Sequence, residues 1–262
     1  MADCQRFLHA DVYRFPYPRN LNGQNIYKIS LVRLANYERL YPDRFTEVLA
    51  LTRARLYERL GDYEQALHFY RVTLSIRGEL APVAQDRIPI CENFHTVISF
   101  TIHPKTIEEY IQEYETRLEA LDTLIDKCSG LDMEPLARLE KEKTQLDFAV
   151  FLQDNRQLLP EGTKLALELW TRILEENVES KNIQAHRIQL ADFFFSLAKE
   201  YATWKPPERI GFEWDVFEDY AIGARNLYYR VSREDGYPEK REARGKLEAI
   251  LSYIENIREK KQ

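Results

Sequence analysis

Apolar and small residues recur at helical spacing in two runs across residues 47–77, with a polar break between them. Ala50, Ala54, Tyr57 and Leu60 lie three or four apart, and Ala66, Phe69 or Tyr70, and Leu74 repeat the pattern after the break. This is the signature of one buried helix face. The break reads "LGDYEQA". Gly61 suits a left-handed helix stop, and the Asp62 carboxylate can accept a backbone N–H left unpaired at the next helix start. Gln65 stands three residues further on, as a capping box requires. One helix therefore ends near Leu60 and the next begins near Asp62, folding back antiparallel. Ala66 is small enough for a close crossing, with Tyr57 and Tyr70 filling the space beside it.

Weaker versions of the pattern follow. "ALELWTRIL", 166–174, pairs Ala166 with Trp170. "DFFFSLAKEY", 192–201, and "YAIGARNLYYRV", 220–231, form another two-helix pattern, with Ala224 and Tyr228 four apart. Ala243, Leu247, Ile250, Tyr253 and Ile254 make one stripe near the C-terminus, suited to a capping helix over 238–260. Residues 107–128 differ. Ile107, Ile111, Tyr114, Leu118, Leu121, Ile125 and Cys128 alternate four and three apart, a heptad stripe. Gly130 stops that helix and Pro135 opens the next. An antiparallel pair over 105–151 is expected, with a coiled-coil dimerisation arm as its alternative. Residues 1–29 read as irregular, and 79–102 as a helix broken near Pro89, with room for a short strand.

Tyr57, Gly61-Asp62-Tyr63, Ala66 and Tyr70 resemble the tetratricopeptide (TPR) pattern: an aromatic, a G-D-Y/F turn, an Ala, then a second aromatic. Phe194, Leu197, Ala198 and Tyr201 resemble its first helix again. The chain departs from the pattern at Arg53, Ala54, Thr73 and Gly78. The resemblance implies an all-α fold of antiparallel hairpins, near 43–77, 135–178 and 184–233 with the long pair at 105–151, stacked into a short right-handed solenoid over 30–262. Its first helices would line a concave face that takes a peptide or partner helix. The family's groove-facing offsets fall on Leu51, Arg55, Glu58 and Arg59, and later on Asp192, Phe195 and Lys199. They lack the Lys/Asn/Arg set by which some members hold a terminal carboxylate.

Composition agrees with helices. In 262 residues there are only 9 Gly, while charged residues reach 31%. Net charge is −6 with the signs interspersed, so no basic face invites nucleic acid beyond the terminal "REKKQ". No run is apolar enough to span a membrane. Cys4, Cys91 and Cys128 show no metal spacing and fit reduced thiols in the cytoplasm. A periplasmic or envelope location is the alternative, if a leader has been removed upstream of Met1.

Five histidines, His9, His68, His95, His103 and His186, form no metal motif, and no phosphate loop or nucleophile elbow is present. No catalytic residue, metal or cofactor is expected. The segment 202–219 interrupts the repeat with Trp204, Phe212, Trp214 and Phe217 among Lys205, Pro206, Pro207 and Arg209. It suits either a plug over the stack or a recognition loop offering Lys205 and Arg209. The expected function is a non-catalytic protein-interaction scaffold, with a monomer favoured. The alternatives are a structural subunit of a larger assembly, such as a lipoprotein-type bacterial envelope complex, and an enzyme on a helical scaffold.

Overall fold

A computed structural model describes residues 24–99 and 106–261. Ten helices and no strand occur among them. They are α1 (Asn25–Leu40), α2 (Thr46–Leu60), α3 (Tyr63–Ile76), α4 (Ala81–Ile98), α5 (Ile107–Cys128), α6 (Glu134–Asn155), α7 (Gly162–Glu176), α8 (Ile183–Trp204), α9 (Trp214–Arg233) and α10 (Glu239–Lys261). Helices adjacent in sequence pack on each other from α1 to α5 and from α7 to α10. The chain divides into two units, Met1–Gln145 and Leu146–Gln262.

In the first unit, the turn between α2 and α3 forms by local rules. Gly61 adopts φ +75°, where a Cβ would be strained, and its N–H closes on the Glu58 carbonyl. The Asp62 carboxylate accepts the Gln65 N–H at 3.1 Å. Ala66 and Tyr70 are fully buried, and Tyr57 stacks on Phe69 with ring centroids 5.6 Å apart. Leu74 is exposed, against expectation. Thr73 takes the interior place because its hydroxyl is satisfied by the Phe69 carbonyl. Ala66→Phe should overpack this crossing and cost about 1–3 kcal/mol. A melting temperature equal to wild type would contradict the close crossing.

Two expectations need correction here. Of the segment 1–29 expected to be irregular, residues 25–29 are helical, because α1 starts at Asn25 and buries Ile26, Tyr27, Ser30 and Leu34 on one face. Residues 1–23 lie outside the described residues. Helix α4 does not break at Pro89 but runs through it. Proline removes one backbone bond. Pro89 nevertheless sits on the exposed side, while Ala84, Arg87, Cys91 and Phe94 form a continuous buried stripe. Packing of that stripe outweighs the lost bond.

The core of this unit collects Leu51 and Ala54 from α2, Ala66 and Tyr70 from α3, Phe94 from α4, Leu121 and Ile125 from α5, and Leu136 and Ala137 from α6. The heptad stripe of α5 is buried at Leu121, Ile125 and Cys128 and only partly covered at Ile107, Ile111, Tyr114 and Leu118. Lys141 pairs with Asp122 at 2.7 Å, which sets α6 beside α5.

In the second unit, α8 is the central helix. It is buried on several sides and packs against α7, α9 and α10. Small residues, Ala191, Ala198, Ala221 and Ala224, are fully or nearly fully buried where α8 and α9 meet. The Tyr228 hydroxyl of α9 donates to Asp192 of α8 at 2.5 Å. The first unit holds a counterpart: the Tyr70 hydroxyl of α3 donates to Glu58 of α2 at 2.6 Å. In both hairpins the tyrosine follows a buried alanine by four residues. Ile250 and Ile257 of α10 then close the apolar face of α8 and α9.

Candidate functional site

The α2 residues expected on an open face divide into two sets. Leu51 lies in the core and Glu58 is only 3% exposed. Both are interior residues, because α4 and the turn before α6 approach this side of α2. Glu58 accepts from the Tyr70 hydroxyl and from the Cys91 thiol at 3.2 Å, and Arg87 of α4 lies 3.8 Å away. Arg87 in turn donates to Asp132 at 2.5 Å. Arg55 and Arg59 remain partly accessible, and their charges bear on Asp132.

Electrostatics follow from that packing. Burial raises the Glu58 pKa, only partly opposed by Arg87 and the hydrogen bonds from Tyr70 and Cys91. Burial and the neighbouring Glu58 push the Cys91 thiol well up, which leaves it protonated and unreactive. At Asp132 burial acts upward too, but the Arg87 hydrogen bond and charge outweigh it and hold the pKa low. Glu58, Cys91 and Arg87 are buried and joined to one another, and Arg87 reaches Asp132 at the surface.

The second-unit residues are also engaged. Asp192 takes Tyr228 and Lys246, the latter at 2.6 Å. Phe195 meets Tyr253 edge-on and lies beneath the Lys199 ammonium, 3.9 Å from the ring centroid. Lys205 pairs with Glu213 at 2.7 Å. Arg209 is exposed.

The segment expected to interrupt the repeat is shorter than 202–219. Trp204 belongs to α8 and Trp214 begins α9, so the connection spans only 205–213. Plug and loop characters are divided between its aromatics. Phe212 and Phe217 are buried with Ala198, Ala221 and Ile257, and Trp214 packs partly against them. Trp204 is 81% exposed, because the extra turn of α8 carries it beyond that cluster.

The open concavity of the second unit lies elsewhere, along α7. It measures about 800 Å³ and is lined by Arg156, Leu159, Glu161, Gly162, Thr163, Lys164, Leu167, Glu168, Thr171, Arg172, Glu175 and Tyr220. Gly162 permits its sharp entry: a Cβ there would sit 2.1 Å from the Arg156 carbonyl oxygen. Beneath it, Trp170 is fully buried and its indole N–H donates to Gln153 at 3.2 Å, which fixes the rotation of α7. Arg156 at one wall is held by Glu200 at 2.5 Å. Glu168, Arg172 and Glu175 point outward with no ion-pair partner among the described residues. The result is a groove of alternating charge with Leu159, Leu167 and Tyr220 as apolar contacts. Sequence reasoning missed it. Its signal is Gly162 together with Lys164, Glu168, Arg172 and Glu175, charges three or four apart on the side of the helix away from Ala166 and Trp170.

No family model matches the chain, and no curated protein matches it. The fold is all-α, built of packed adjacent helices, and no described helix is long and apolar enough to cross a membrane.

Proposed function

We propose that this chain is a non-catalytic protein-interaction scaffold of TPR-like helical hairpins, stacked as a short right-handed solenoid, that binds a peptide or partner helix. The observation that carries the reading is the groove along α7. It has the volume of a ligand site, yet it is open along a helix, as a peptide-binding surface is. Its charges are spaced three and four residues apart on α7, so a partner helix of opposite alternation matches them. Support for the repeat comes from the two hairpins, α2–α3 and α8–α9, which share a buried alanine and a tyrosine bonded to a carboxylate across the pair.

This places the proposed contact on α7, not on the first helices that the family resemblance would select. Lys164→Glu with Arg172→Glu reverses two exposed charges in the groove. The double variant should keep the wild-type melting temperature within about 1 °C, since surface changes of this kind move stability by under about 0.5 kcal/mol. It should weaken partner binding at least about tenfold, as mispaired charges at an interface do. Undiminished binding by a folded double variant would remove the groove from consideration.

A further inference from the structure

The first turns of α8 bury three polar side chains, Gln184, His186 and Arg187. Arg187 is 7% exposed. A guanidinium withdrawn from water is costly unless a carboxylate faces it. The other buried arginine, Arg87, meets that condition with Glu58 and Asp132. Arg187 does not. Its Nη1 donates to Gln184 Oε1 at 3.0 Å, one turn back on the same helix, and no carboxylate among the described residues lies within ion-pairing distance.

The neighbouring element adds positive charge. Ile188 and Ala191 of α8 share one buried cluster with Tyr228 and Val231 of α9, so the first turns of α8 lie against the last turns of α9, which carry Arg230. Arg230 is exposed, in the last turn of α9. Burial, and then the like charge of Arg230, holds the Arg187 guanidinium below its ordinary range. Glu234 and Tyr237, in the segment after α9, act the other way without cancelling this.

We propose that Arg187 and Arg230 form a binding site for a phosphate-type dianion, supplied by a free phosphate ester or by a phosphorylated side chain of a peptide. The site calls for two negative charges on one group. A carboxylate would neutralise only one of the two guanidiniums, whereas a phosphoryl group carries close to two charges at neutral pH. Arg187 uses one of its five donors on Gln184, which leaves the planar fork to grip oxygens bidentately. Arg230, at the surface, marks the side from which the anion arrives. Glu234 is the competing carboxylate: close enough to act on Arg187, it does not pair with it. This site is independent of the α7 groove.

The test is a titration of the full chain with sodium phosphate, phenyl phosphate and a degenerate phosphoserine peptide pool with its unphosphorylated counterpart. Each is matched in ionic strength with sodium chloride and followed by thermal unfolding and by isothermal calorimetry. A saturable rise in melting temperature beyond the chloride control is expected. Arg230→Gln, an exposed substitution that leaves the circular dichroism spectrum unchanged, should weaken binding about tenfold or more. Glu234→Gln should tighten it. Phosphoserine peptides at least tenfold tighter than phosphate, with no binding of the unphosphorylated pool, would assign the anion to a polypeptide. Equal or tighter binding of the small phosphates would assign it to a free ester. No saturable binding beyond chloride, or binding that Arg230→Gln leaves unchanged, would overturn the proposal.

Discussion

Arg87→Met is expected to lower the stability of the first unit by about 3–5 kcal/mol at pH 7, the usual cost of removing one partner from a buried ion pair. Glu58 would then be left interior with only the Tyr70 hydroxyl and the Cys91 thiol facing it. The size of the loss should depend on pH, and its direction follows from two groups. Glu58 has a folded pKa raised above its ordinary 4.5, so its contribution to stability is most favourable below that value and declines as pH rises through the folded pKa. Without Arg87 that pKa rises further, and the decline extends to higher pH. Asp132 has a folded pKa below its ordinary 3.8, so its contribution is present above that value and is lost as pH falls. Without Arg87 this contribution disappears at neutral pH. Both effects widen the gap between variant and wild type at neutral pH and narrow it toward pH 4. Urea unfolding of both proteins at pH 7 and pH 4 measures this. A gap that is constant or larger in acid would contradict the pairing.

Trp170→Ala should destabilise the second unit by about 3–5 kcal/mol, the range for deleting a buried aromatic. The indole is fully buried, and its hydrogen bond to Gln153 ties α7 to the end of α6. Because the α7 groove depends on that rotation, the variant should also lose partner binding while it remains folded at low temperature. Trp170→Phe keeps most of the packing and drops only the hydrogen bond. It should cost about 1 kcal/mol more than the lost packing alone, as a typical intramolecular hydrogen bond does. Calorimetric scans of both variants decide the point, and a melting temperature for Trp170→Ala within 1 °C of wild type would rule it out.

What the sequence made legible was local. Gly61 and Asp62 determine their turn through backbone conformation and a cap three residues long, and both were readable without knowing what surrounds them. Gly130 is similar, at φ +74° just after α5. Pro89 shows where a local rule loses. The missing backbone bond was visible, but the stripe Ala84, Arg87, Cys91 and Phe94 that holds the helix together acts through partners far away in sequence. Leu51 and Glu58 show the same limit at the candidate site. A family offset places them on a helix face, but whether that face is open depends on α4 and on Asp132; Arg87, Cys91 and Asp132 lie 29, 33 and 74 residues beyond Glu58. The 202–219 segment was legible as aromatic but not in its boundaries, because nothing local marks Trp204 as the final turn of α8. Arg187 carries a signal in the sequence itself. In "IQAHRIQLA" the polar Gln184 and Arg187 share the spacing of the core residues Ile188 and Ala191. A charged residue on an apolar stripe invites a search for its counter-charge.

The most direct test of the scaffold reading is site-specific photo-crosslinking in the native host. A photoreactive residue at Thr171, exposed in the α7 groove, is compared with one at Thr123, exposed on α5. A polypeptide adduct is expected at Thr171 alone, and it should vanish when Lys164 and Arg172 are both changed to Glu. Adducts of equal yield at both positions, or an adduct at Thr171 that survives the charge reversal, would contradict partner binding in the groove.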